Sequence, residues 1–159
     1  MTVPSMTESI AEQIAQLLNT QNELTRRYTA GKAREHPERY LFLLGDDARV
    51  RGVVELKDVQ WYQCEVRHLS VHPDAQRQGF ASKLLQNAET RALQLRARIA
   101  QCTIREGNAA SEGLFKKAGY VAAVTFLNQR SGNRVTVYQK ALVSGLEHDA
   151  QSIEGVVNG

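Results

Sequence analysis

Arg77 and Lys83 flank the stretch of this sequence best suited to a charged ligand. The polar loop Asp74-Ala75-Gln76-Arg77-Gln78-Gly79 follows an apolar, strand-like run ended by Pro73, and a long helical pattern comes after it. The first turn of a helix leaves up to four backbone N–H groups without partners, and its dipole places roughly half a positive charge there. A strand, a glycine loop and a helix start in that order suit an anion. Gly79 lets the backbone approach a ligand closely, and Ala81 keeps the first turn narrow. Neither GxxxxGK(S/T) nor GxGxxG occurs, since Gly31-Lys32 lacks the upstream glycine.

Other reactive side chains stand without a partner set. His68 and His72 are four apart, which on a strand separates them by about 13 Å, too far for one ion. Pro73 argues against a helix there, so no metal site is expected. No GxSxG elbow occurs, and Cys64 lacks a base visible in sequence. Cys64 and Cys102 lie in apolar segments without CxxC spacing, which predicts buried free thiols in a reducing compartment.

The elements around the loop follow from periodicity. Ser5-x-x-Glu8 is a capping box before Ile10, Ile14, Leu17 and Leu18, predicting a helix over about 6–19. A more polar helix is expected over about 21–35, ended by Pro37. Strands are expected at 40–44, 48–58 and 61–71, with Gly45-Asp46-Asp47 as turn chemistry. Ala81, Leu84, Leu85, Ala88, Ala92 and Leu95 mark an amphipathic helix. Residues 99–104 form a short strand. A short helix starts at Gly107-Asn108 and stops at Gly119, and two strands joined by a turn at 130–133 close the chain. Beyond about 143 the sequence is a polar tail. The strands on either side of the amphipathic helix must run parallel, so the fold class is α+β, a mixed sheet flanked by helices.

One strand is irregular. Tyr62, Cys64 and Val66 hold even parity, whereas Leu69 and Val71 hold odd parity. A β-bulge absorbs such a slip, and bulges often adjoin active sites. A strand buried on both faces is the alternative.

Composition narrows the class without naming a function. The chain has 159 residues, 42% of them hydrophobic, with a net charge of +3. That fits one domain with a real core and excludes collagen-like and disordered chains. The charge is too small to argue for nucleic acid, and Arg91, Arg96 and Arg98 read as a solvated helix face. The start MTVPSMTESI has neither a basic run nor an apolar one, and the densest apolar stretch is Tyr40–Leu44, far short of a membrane span. A cytoplasmic protein without membrane contact is expected.

Two motifs carry a resemblance. Gln76-x-x-Gly79-x-Ala81 resembles the (R/Q)-x-x-G-x-(G/A) signature of the GNAT superfamily of acyl-CoA-dependent N-acetyltransferases. The segment Asn108-Ala-Ala-Ser111-Glu-Gly-Leu114-Phe115-Lys-Lys117-Ala-Gly119-Tyr120 is similar to the family's N-x-x-(S/A)-x-x-(L/F)-(Y/F)-x-K-x-G-(F/Y). The likeness covers about residues 40–142 within one domain over 1–142. The family opens with a strand, for which Thr2-Val3 is a poor candidate.

The resemblance implies a largely antiparallel sheet with a splayed parallel strand pair that receives acetyl-CoA. It implies that backbone groups of Leu69 and Val71 pair with the pantetheine arm. The N–H groups of Gln76, Arg77, Gln78, Gly79, Phe80, Ala81 and Ser82 would hold the pyrophosphate, with Asn108 and Phe115 beside the cofactor. The slip before Leu69 falls where this family bulges. It implies that the Leu69 N–H faces the thioester carbonyl as an oxyanion donor.

A lysine-like amine is about one part in a few thousand neutral at pH 7, a handicap of roughly 4–5 kcal/mol. Glu65, where the family often has a strand glutamate, is the candidate base; pairing with Arg67 is its structural alternative. Many members carry tyrosine at the Phe115 position to protonate the leaving sulfur, and phenylalanine has no proton to give. Water or another group would then serve, or the thiolate leaves unaided. The expected activity is acetyl transfer to a primary amine of a small molecule, peptide or protein. A GNAT-like module that binds acyl-CoA with weak turnover is the alternative. A homodimer is expected by resemblance.

Overall fold

A computed structural model describes residues 5–143 apart from 23 and 25. The elements are α1 (Glu8–Gln21), α2 (Ala30–Glu35), β1 (Tyr40–Leu44), β2 (Val50–Asp58), β3 (Gln63–Val71), α3 (Phe80–Gln94), β4 (Ile99–Arg105), α4 (Ala109–Lys117), β5 (Val121–Leu127) and β6 (Arg134–Ala141), with single 3-10 turns at Pro37–Arg39 and Pro73–Ala75. The fold is α+β, in the order expected from sequence. Among the described residues no strand precedes α1, and the tail beyond Val143 lies outside them.

The six strands lie in the order β1-β2-β3-β4-β6-β5, antiparallel except β3 against β4. Leu56, Cys64, Val66, Leu84, Leu85 and Ala88 form the core between the sheet and α3. On the other face, Ile14 and Leu18 of α1 pack with Tyr28, Tyr40, Val50 and Val53. Alternation along β2 and β3 divides their side chains between these layers. Gly52 of β2 sits where a Cβ would stand 2.7 Å from Leu84 Cδ1, so its lack of a side chain lets α3 lie close.

Two expectations at the N-terminus need correction. Thr7 rather than Ser5 caps α1, its hydroxyl accepting from the Ile10 N–H at 3.2 Å. The helix expected over 21–35 shrinks to Ala30–Glu35, because Asn22 and Thr29 are extended. Asn19 breaks it, its side chain pairing with both backbone groups of Tyr28 at 2.7 and 3.0 Å. This side-chain-to-backbone pairing competes with helix formation and pulls Tyr28 into the core.

At the other end of the domain, Gly119 has φ +96, and the Gly119 and Tyr120 N–H groups bond to Lys116 and Phe115 carbonyls. That double bond is a Schellman stop, and it fixes where β5 departs.

Candidate active site

The parallel pair β3–β4 is short. Its ladder covers Gln63↔Ile99, Cys64↔Ala100 and Glu65↔Gln101. Beyond Glu65, β3 continues to Val71 along β2, and β4 continues to Arg105 along β6. The two strands thus part and leave a gap whose walls are backbone. Glu65 stands at the last rung of the joined part. It is half-buried, opposite in parity to the core residues Cys64 and Val66, and so faces the α1 layer.

The slip in parity is a bulge. Glu55 pairs with Arg67 and Val53 with Ser70, so Val54 opposes both His68 and Leu69. His68 takes the left-handed conformation at φ +51. One extra residue returns Leu69 and Val71 to the α3 layer.

At the end of β3 the loop turns into α3. Arg77 (φ +64) and Gly79 (φ +81) are both left-handed, and Gly79 is the N-cap without a side-chain bond to the helix. The first backbone bond into the helix is Lys83 N–H to Gly79 C=O at 3.1 Å, so the N–H groups of Phe80, Ala81 and Ser82 have no partner within it, whereas the Gln76 N–H, expected to serve the ligand, is already bonded to the Pro73 carbonyl at 3.4 Å. A pocket of about 230 Å³ opens there, lined by Val71, Gln76, Arg77, Gly79, Phe80, Ala81 and Ser82. No Cβ contact lies within 4 Å of Gly79. Oriented N–H groups, a basic side chain and an open approach fit a diphosphate.

The remaining candidates divide. The Gln78 amide turns back to the Asp74 carbonyl at 3.3 Å, so this residue offers the pocket backbone alone. Asn108 caps α4, its Oδ1 accepting from the Ser111 N–H at 3.3 Å, which leaves its amide group as donor. Phe115 is buried in the α3 layer, its ring edge-on to Tyr120 at 5.0 Å.

Sequence reasoning missed a polar cluster on the α1 face. Glu55, almost wholly buried, accepts from the Tyr28 hydroxyl at 3.3 Å, and the Tyr28 and Tyr40 hydroxyls are 2.9 Å apart. His68 Nε2 lies 3.8 Å from the same Glu55 oxygen, and its ring packs edge-on to Tyr28 at 5.7 Å. Burial holds the His68 pKa below its usual 6.5, aided by Arg67 and opposed by Glu55. The available signal was Glu55 sharing its parity with Val53, a core position.

The fold recurs in known structures. Ard1 from Thermoplasma volcanium superposes with TM-score 0.76 at 18% identity, over 90% of this chain and 98% of that one. A ribosomal-protein-alanine N-acetyltransferase from Brucella melitensis gives 0.75 at 17%, over 89% and 100%. The yncA protein from Salmonella typhimurium, solved with its cofactor acetyl-CoA, gives 0.73 at 19%, over 90% and 94%. No curated protein matches in sequence. The model of the acetyltransferase (GNAT) family matches residues 7–120, and on that match, with a fold to suit it, the chain belongs to the GNAT acetyltransferases.

Proposed function

We propose that this protein is an N-acetyltransferase that moves an acetyl group from acetyl-CoA to a primary amine by direct attack, one domain over 1–142 doing the work. The observation that carries the reading is the parted β3–β4 pair with the anion-ready loop at its end. In this reading the backbone N–H groups from Arg77 to Ser82 hold the pyrophosphate, while Leu69 and Val71 take the pantetheine arm with Asn108. The amine nitrogen attacks the thioester carbon. The Leu69 N–H receives the charge that develops on oxygen. Glu65, directly or through water, takes the proton from nitrogen as the carbon–sulfur bond breaks and CoA leaves as a thiolate. An ordinary thiol has a pKa near 8.5, so departure without an acid is feasible.

Phe115 favours a second reading, a weakly catalytic CoA-binding module, because this residue offers no hydroxyl to the leaving sulfur. The unpaired thiols of Cys64 and Cys102 support a cytoplasmic setting. Edge strand β5, exposed along its length and free of charge, supports a homodimer.

Thiol release from acetyl-CoA across a panel of amines and peptides tests the main reading. Turnover with at least one acceptor is expected, and Glu65→Gln should lower it about 100-fold or more and remove the acid limb of its pH profile. Tight CoA binding without turnover on any acceptor would establish the module instead.

A further inference from the structure

Tyrosines and cysteines aside, two polar or charged side chains are buried among the described residues, Glu55 and Ser70. Isolated burial of such groups costs free energy, so the partners they serve are informative. Ser70 bonds the peptide unit that joins His68 to Leu69, and Glu55 stands beside the side chain of that same His68. Ser70 Oγ donates to the His68 carbonyl at 3.0 Å. The Ser70 hydroxyl is itself oriented by Asn22, whose Nδ2 donates to Oγ at 2.8 Å from the end of α1. On the other side, the Tyr28 ring packs edge-on to the His68 imidazole, and Glu55, which accepts from the Tyr28 hydroxyl at 3.3 Å, stands 3.8 Å from His68 Nε2. His68 needs holding, because its left-handed backbone costs about 1–2 kcal/mol for an L-residue.

That peptide unit consists of the His68 C=O and the Leu69 N–H, the oxyanion donor of the proposed reaction. A hydrogen bond to the carbonyl polarises the whole amide and strengthens its N–H as a donor. Clamping the residue before it fixes the direction in which the N–H points.

We propose that Ser70 and Glu55 are positioning residues that orient and polarise the Leu69 N–H toward the acyl carbonyl, Ser70 through the His68 carbonyl and Glu55 through the His68 side chain. This rests on the acetyl-CoA reading above. It further ties the oxyanion donor to the end of α1 through Asn22, so that helix end and the acyl site share one hydrogen-bond chain.

The test uses acetyl-CoA and CoA as paired probes, which differ by the carbonyl alone. Calorimetry gives the affinity ratio, and the Leu69 amide shift in a ¹⁵N–¹H spectrum gives the local contact. In Ser70→Ala and Glu55→Gln the ratio should fall about three- to tenfold, the worth of one ordinary hydrogen bond, with CoA affinity held. The acetyl-dependent shift of Leu69 should shrink with it, and Ser70→Thr should restore both. Should Ser70→Ala unfold, Asn22→Ala carries the same expectation, since it removes the donor to Ser70 and otherwise costs only the bond to the Leu18 carbonyl at the end of α1. Variants that keep the parent's ratio and shift overturn the positioning role alone. A parent that binds neither probe overturns the acetyl-CoA reading and this proposal together.

Discussion

At the level of single residues, the buried acidic protons make a prediction that needs no substrate. Burial, with Asp58 nearby, pushes the Cys64 thiol up to about 11. Burial, with Glu65 nearby, pushes Cys102 up to about 12. Burial also raises the phenols of Tyr28, Tyr40 and Tyr120. Each group holds its proton more tightly folded than unfolded, where thiols titrate near 9.0. Their contribution is therefore complete below about pH 9 and is lost as pH rises toward the folded values. The melting temperature should fall steadily between pH 9 and 11, and Cys102→Ala should melt lower but with a shallower slope. Circular dichroism melts across that range check both, and a flat profile to pH 11 contradicts the burial. The thiols were legible as buried from their apolar strands. Glu55 was not, because a lone acidic residue in an alternating strand reads as solvent-facing until the opposite layer is known.

The elements separate local signals from those that tertiary contacts override. The bulge was legible, since a two-residue period cannot change parity without an extra residue. The stop at Gly119 was legible for the same kind of local reason. The helix over 21–35 was not, because Asn19 captures the Tyr28 backbone nine residues away and propensity has no record of that pairing.

Two glycines give contrasting expectations. Gly79 has open space around a Cβ but φ +81, so Gly79→Ala should cost about 1–2 kcal/mol from conformation alone and weaken CoA binding. Gly52 meets Leu84 at 2.7 Å, so Gly52→Ala should destabilise by about 1–3 kcal/mol through overpacking and leave CoA affinity near the parent's. Paired melts and CoA titrations check the contrast; equal effects on CoA affinity would undo it.

For the molecule as a whole, a ligand that bridges the gap between two half-sheets should stabilise both. Acetyl-CoA at a hundredfold excess over its dissociation constant contributes about 2.7 kcal/mol. In a chain of this size that raises the melting temperature by about 5–11 °C. Thermal shift with acetyl-CoA measures it, and no shift at saturating ligand contradicts the cofactor reading. The order of elements, the mixed sheet, the anion-ready loop and both family motifs were written in the sequence, because each rests on short-range spacing: a period, a cap, a glycine before a helix. Where β3 and β4 part, what Glu55 and Ser70 converge on, and which stretch between α1 and β1 is helical were decided by tertiary structure alone. Those depend on residues tens of positions apart meeting across layers. The Asn22–Ser70 bond spans 48 positions, and no local pattern encodes it.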